Sequence, residues 1–325
     1  MAATVGASKA YDLSGGALRE DLSDIIYDIS PMDAWFMSHI ARGTAKSTTH
    51  EWLSDTLVAV SATNAAIEGD AFSATARALP SRLKNYTQIS TKMFEVTGTA
   101  QKVDNAGMRE LLGYHTARAG KELKRDIESA ALGTSPASAG TSVSARVSGG
   151  VSNWIYTDNH YKTVAGPTVP TTVAPTSGVP SGAVTTGTTT AIVEADLKGM
   201  LSQAWSCGGE TDTLLTTAAI YNTISGFTGL ATRFRDVGSK QQAQIIGAAD
   251  VYVSAFGSHA IQLSRYIPSG ALYGLDMKTW AIDYLRPFQT VEIAKVGDAD
   301  RRMLLAEWTL RCNAPRANVK ITGGA

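Results

Sequence analysis

The residues able to do chemistry are few and poorly grouped. His50 and Glu51 open like a His-Glu-x-x-His zinc helix, but Ser54 stands where the second histidine must fall, so two imidazoles do not share a helix face. Ser81 and Lys84 have the Ser-x-x-Lys spacing that sets an amine beside a serine nucleophile on a helix, yet Pro80 and strand-like neighbours oppose a helix there. His39, His115, His160 and His259 have no acid–base partner identifiable from the sequence, and His115 reads as a structural residue on an apolar helix face. Asn85, Tyr86 and Thr87 form a glycosylation sequon, which matters only in a secretory pathway. A Walker loop, a complete dinucleotide glycine fingerprint and a Gly-x-Ser-x-Gly elbow are missing from the sequence. Cys207 and Cys312 are far apart and outside metal-ligand spacing, so both read as small apolar residues of a reducing compartment. The expectation is no catalytic residue, no cofactor and no metal; a hydrolase with an unrecognised serine or acid pair is the enzymatic alternative.

The elements that would position any site begin with a helix over residues 105–132. Met108, Leu111, Leu112, His115, Ala119, Leu123, Ile127 and Ala131 recur at three- and four-residue steps, which gathers them in one stripe. Leu111, Leu123 and Ile127 are its expected core. Arg109, Lys121, Lys124, Arg125 and Glu128 fall mostly opposite, Asp104 or Asn105 can cap the start, and Gly133 can end it in a left-handed turn. The rod, about 40 Å at 1.5 Å per residue, suits either the brace of an extended subunit or a core helix of a globular enzyme.

Before it, residues 1–16 read as a small polar tail and Ala17 to Arg42 as two short helical pieces broken at Ser30 and Pro31, an arm more than a core. Residues 12–33 carry Asp12, Glu20, Asp21, Asp24, Asp28 and Asp33 against Arg19. Residues 48–103 read as a long hairpin-like excursion, with strands over 51–60 and 85–96, and Arg77, Arg82, Lys84, Lys92 and Lys102 oppose Glu95 from 77 to 102. Acidic arm and basic loop either neutralise each other between copies or are two solvated faces, since exposed pairs contribute only about 0–1 kcal/mol each.

After the helix, residues 134–190 are rich in Ser, Thr, Gly and Pro and read as a surface excursion anchored at Trp154, Ile155, Tyr156, His160 and Tyr161. Glu194 to Ser206 forms a helix with Leu197, Met200, Leu201, Ala204 and Trp205 on one face; Thr213 to Thr217 reads as a buried strand and Ala218 to Phe227 as a helix. Residues 248–256, 261–266 and 271–275 follow as strands. A closing hairpin joins 290–296 to 302–312, the second strand alternating Leu304, Ala306, Trp308, Leu310 and Cys312 with Glu307, Thr309 and Arg311, so that one buried face can cover the long helix.

The chain has 325 residues, enough for about two domains, and 29 bases balance 29 acids, which gives no general pull toward nucleic acid. No apolar run is long enough to span a membrane, and residues 1–16 lack a signal-peptide pattern, so a soluble protein, cytoplasmic when made, is expected.

Taken in order, certain segments resemble the major capsid proteins of tailed bacteriophages with the Hong Kong 97-type fold, in the branch of long-looped major head proteins. The carriers are Asp24 to Pro31, Val96 to Gln101, Lys121 to Glu128, Gly149 and Gly150 with Trp154, Ala195 to Leu197 with Trp205, Gly208 and Gly209, Leu285 to Phe288, and Ala294 to Asp298. The resemblance implies an α+β fold divided into an N-terminal arm (1–47), an extended loop (48–103), a peripheral domain with the spine helix (104–190), an axial domain (191–275) and closing strands (276–325). It implies a non-enzymatic virion protein that forms hexamers and pentamers of an icosahedral shell around double-stranded DNA. Its partners would be other copies of itself, the packaged DNA, and scaffolding, portal and decoration proteins. Asp24 and Asp28 in the arm and Arg77, Arg82 and Lys84 in the loop then become intersubunit contacts. A tail-tube or other repeated virion protein is the structural alternative.

Overall fold

The computed structural model describes residues 34–55, 57, 60–63, 65, 67–69, 79–103, 110–156, 160–161, 171–172, 177–186, 189–227, 251–295 and 297–324. In chain order the elements are α1 (Trp35–His39), β1 (Ala41–Thr44), β2 (Thr49–Ser54), β3 (Ser81–Tyr86), β4 (Gln88–Thr97), α2 (Gly98–Lys102), α3 (Leu111–Leu132), α4 (Val151–Trp154), β5 (His160–Tyr161), β6 (Thr171–Thr172) and β7 (Val184–Thr185). They continue as α5 (Glu194–Ser206), β8 (Thr213–Thr216), α6 (Ala218–Ser225), β9 (Val251–Ser254), β10 (Gly257–Leu263), β11 (Leu272–Leu275), β12 (Trp280–Ile293), β13 (Ala299–Cys312) and β14 (Val319–Ile321).

The closing hairpin is the frame of the first sheet, ordered β1-β12-β13-β4. Its strands are longer than the sequence suggests because β12 begins at Trp280, before the bulges around Arg286. Pro287 fits there: β1 pairs only with Ala281 to Tyr284, so beyond Tyr284 the outer side of β12 has no β1 hydrogen bond for a proline to lose. The alternation expected of β13 gives way to continuous burial from Leu304 to Leu310. The strand is central in its sheet, and its polar face, which carries Glu307 and Thr309, is covered as well.

Helix α3 crosses that sheet, and Leu123 and Ile127 are fully buried in one cluster with Trp154, Trp280, Ala306, Trp308 and Leu310. Burial of each such side chain contributes about 1.5–3 kcal/mol. Three expectations for this helix need correction. It starts at Leu111, because Glu110 is extended (φ −130°, ψ 98°), while positions 104–109, including Met108 and both candidate caps, lie outside the described residues. Leu111 is only half-buried, since it sits about 100° around the helix from Leu112, which shares the covered arc with Ala119, Leu123 and Ile127. Gly133 is extended at φ −69°, not left-handed; it lies against Gly150, where a Cβ would strike the Gly133 carbonyl. Glu128 is the fourth departure: it is fully buried, because α1 packs onto its side of the helix.

The described end of the arm is therefore core. Phe36, Met37 and Ile40 are buried, the Phe36 ring lies edge-on to Trp280 at 6.0 Å, and β1 pairs in parallel with β12.

The second sheet, β5-β14-β11-β8-β10-β9, carries α5 and α6 over a separate cluster of Leu197, Met200, Leu201, Leu214, Ile220, Leu272 and Val319. Helix α5 has the expected bounds, and the Asp196 carboxylate accepts the Val193 N–H as half of a capping box. Trp205 is 64 % exposed instead of buried, since it lies one position past the Ala204 stripe and packs beside Phe256.

Candidate assembly surface

Strands β2 and β3 form an antiparallel hairpin running from Thr49 opposite Tyr86 to Ser54 opposite Ser81. The strand expected over 85–96 is broken at Thr87, where the chain leaves the hairpin and enters the first sheet as β4. The fully buried Thr87 takes the Thr48 carbonyl through its N–H and donates its hydroxyl to Glu307 at 2.8 Å.

Below that point the hairpin is bolted to the body by polar side chains. Asn85, fully buried, donates Nδ2 to the Leu310 carbonyl (2.6 Å) and to Ser148 Oγ (3.1 Å), while its Oδ1 accepts the N–H groups of Gly149 and Tyr86, both at 2.9 Å. His50 Nε2 lies 2.9 Å from the buried Asp283 carboxylate, which also accepts Arg311 Nε at 2.7 Å. Trp52 donates its indole N–H to the Cys312 carbonyl and packs on Trp154, 5.3 Å between ring centroids. Glu307 binds Arg146 at 2.7 Å and Arg286 at 2.8 Å. Burial pushes both carboxyls up, but for Asp283 the His50 and Arg311 contacts outweigh it, and for Glu307 the Thr87 and Arg286 bonds and the two arginine charges do, so both sit below their ordinary values.

The excursion over 134–190 is part of this anchorage. Ser148 to Ile155 is buried, and the Lys84 N–H donates to the Gly178 carbonyl. Gly178 has φ +78°, and a Cβ there would meet the Arg82 carbonyl, so this close approach requires glycine.

Beyond the root the distribution of polarity inverts. Leu53, Leu57, Val60, Ile67 and Leu79 are between 68 and 99 % exposed. A second apolar surface lies where the Glu307 face of the first sheet is left uncovered: Ile89 and Met93 of the edge strand β4 are exposed there, and Met93 pairs across β13 Met303 with Val291 of β12. Single exposed apolar residues are ordinary; groupings of this kind mark interaction sites.

The structure brings together few of the charges singled out by sequence. Arg82 pairs with Glu51 of its own hairpin at 3.3 Å, and Lys84 stands opposite the same Glu51 in register. Asp24, Asp28 and Arg77 lie outside the described residues. Ser81 donates its hydroxyl to the Ser54 carbonyl, on a strand rather than a helix. His259 is buried between the Thr211 carbonyl and Ser254 Oγ and ties β10 to its neighbours. Sequence reasoning passed over Asn85, His50 and Glu307 as structural bolts, since apart from Tyr86 for Asn85 and Arg286 for Glu307 their partners lie 63 or more positions away.

A hydrogen-bonded lever with an apolar tip, and an open apolar patch on the first sheet, define a subunit that completes its surface by association, as shell-forming proteins do. The sequence profile of the SU10 major capsid protein family matches residues 3–325, and the chain belongs to that family. It is 27 % identical over 339 residues to the major capsid protein of Escherichia phage Phieco32, covering 95 % of this chain and 94 % of that one. Its fold resembles the cyanophage A-1(L) capsid (TM-score 0.68, 12 % identity, 96 % and 98 % of the two chains) and the capsid of the native GTA particle (TM-score 0.65, 13 % identity, 98 % and 99 %). The fold is α+β of the Hong Kong 97 type, and the protein is a bacteriophage major capsid protein, a structural component of the virion that self-assembles into a capsid lattice.

Proposed function

We propose that the β2–β3 hairpin carries the assembly contact by laying its tip on the open sheet face of a neighbouring copy, where Leu57 and Val60 would meet Ile89, Met93 and Val291. The observation that carries this is the pairing of a polar, bolted root with an exposed apolar tip. Arg82 and Lys84 form the charged rim of that contact. Each contact is modest after the entropic cost of association, and closure of a lattice of hexamers and pentamers makes the sum stable. The arm, extended loop, peripheral domain, axial domain and closing strands keep the bounds given above. The shell is non-enzymatic, is built in the host bacterial cytoplasm, encloses double-stranded DNA touched non-specifically inside, and engages scaffolding, portal and decoration proteins.

The test is electron microscopy and sedimentation of purified wild-type protein and a Leu57→Ser/Val60→Ser variant. Capsomers or shells from the wild type and a folded, unassembled variant are expected. Assembly of the variant at the wild-type rate would overturn the hairpin contact.

A further inference from the structure

We infer that the chain's own acidic arm, residues 12–33, docks along the outer face of α3, with Asp24, Asp28 and Asp33 set against Lys121, Lys124 and Arg125. This contact lies within one subunit and stands independently of the hairpin contact.

The face is basic and accessible. At 100° per residue, Arg118, Lys121, Lys124 and Arg125 fall within an arc of about 120°; the first three are exposed and Arg125 is half-buried. The acids of the same stretch lie on the flank of that arc, where Glu122 is paired with Arg118 at 2.9 Å and Asp126 with Lys92 of β4 at 2.7 Å. Glu122 and Asp126 therefore face the sheet side and the bases face outward, with Glu128 inside the basic arc.

The same arc shows where the arm begins. Glu128 lies inside it, one turn beyond Lys124 and Arg125, and its two carboxylate oxygens accept the N–H groups of Phe36 and Met37 at 2.8 and 2.9 Å. These N–H groups belong to the first turn of α1, so Glu128 caps α1 from another element and fixes the start of the described chain on the basic face. From Glu128 to Arg118 is about 15 Å along the axis. Asp28 and Asp24 precede Ala34 by six and ten positions, a reach of roughly 9 and 15 Å as helix, and up to about 20 and 35 Å if extended. In either conformation the carboxylates can reach the bases.

Charge selects the occupant. Residues 12–33 hold six acids and one base, in a chain whose total charge is zero. Exposed ion pairs are screened within about 3 Å at 1 M salt, so the docking should be salt-sensitive.

The experiment is zero-length carbodiimide cross-linking of full-length protein, using an equimolar mixture of unlabelled and nitrogen-15-labelled chains, read by mass spectrometry. Cross-links from Asp24, Asp28 or Asp33 to Lys121 or Lys124, with both halves carrying the same label, are expected, and 1 M salt should reduce their yield at least fivefold. Asp24→Asn/Asp28→Asn should weaken them without touching the folded body, and should speed tryptic cleavage after Arg19 several-fold. Adding Asp24→Lys/Asp28→Lys to Lys121→Glu/Lys124→Glu should restore the cross-link with amine and carboxylate positions exchanged. Like and unlike label pairs in equal yield, the statistical outcome for contacts between copies, would overturn the inference in favour of the arm of a second copy. Absence of arm-to-α3 cross-links, with Arg19 cleavage unchanged in the variants, would overturn it too; DNA binding lost in Lys121→Glu/Lys124→Glu would then assign the face to nucleic acid.

Discussion

The root and tip of the β2–β3 hairpin are built on opposite rules. At the root, Asn85, Thr87 and Asp283 are polar, almost wholly buried and matched to partners; at the tip, Leu57, Val60 and Leu79 are apolar and bare. A finished monomer would favour the reverse, since burying polar groups gains little net stability and exposing apolar ones forfeits the hydrophobic term. The root therefore fixes an angle while the tip awaits a surface. Directional hydrogen bonds hold the lever in one orientation, and non-directional apolar contact then seals whatever neighbour that orientation meets.

The largest effect should come from removing the body against which the root is bolted. Leu123→Asp buries a charge in the main cluster and should cost more than about 4 kcal/mol, leaving no cooperative unfolding transition in urea. Next is the root itself: Asn85→Ala strands the Leu310 carbonyl and the Gly149 N–H and should destabilise by about 2–4 kcal/mol, with protease cutting at 55–80 accelerated. The tip should behave otherwise. Leu57→Ser/Val60→Ser should change monomer stability by no more than about 0.5 kcal/mol while assembly fails, a separation visible by comparing urea midpoints with sedimentation.

The smallest effects are in pH. Asp283 and Glu307 have lowered pKa values, so their stabilisation is present above the ordinary carboxylate range and is lost as pH falls through the depressed values. Glu128 is the contrary case. Burial raises it more than the Met37 and Phe36 N–H groups lower it, so its contribution is full below about pH 4.3 and declines as pH rises through the raised value. In urea titrations from pH 3 to 7, the deficit of Asp283→Asn should grow with pH, and the wild type should lose ground to Glu128→Gln over its own window. Parallel curves for the two variants would contradict this opposition.

Where sequence reasoning succeeded, the determining contacts were local. Helix α5, the Leu123 and Ile127 stripe and the closing hairpin follow from three-, four- and two-residue periods, which state which side chains can share a face. The ordered series of motifs that resembled a phage capsid subunit also lay in the sequence, and the family match bears it out. The same local reasoning put Glu128 on the solvent side, gave β13 a polar open face and placed Trp205 on the packed side of α5.

Those outcomes depended on what came to lie against each face. Glu128 is buried by residues some 90 positions earlier, Asn85 is satisfied by a carbonyl 225 positions later, and Trp52 by one 260 positions away. By itself, therefore, the sequence determined the elements, their apolar stripes and the segregation of charge into arm, loop and helix. Tertiary structure alone decided which polar residues became bolts and which apolar ones stayed bare, because burial is a property of the covering partner, and periodicity along one element carries no information about a partner so far away in the chain.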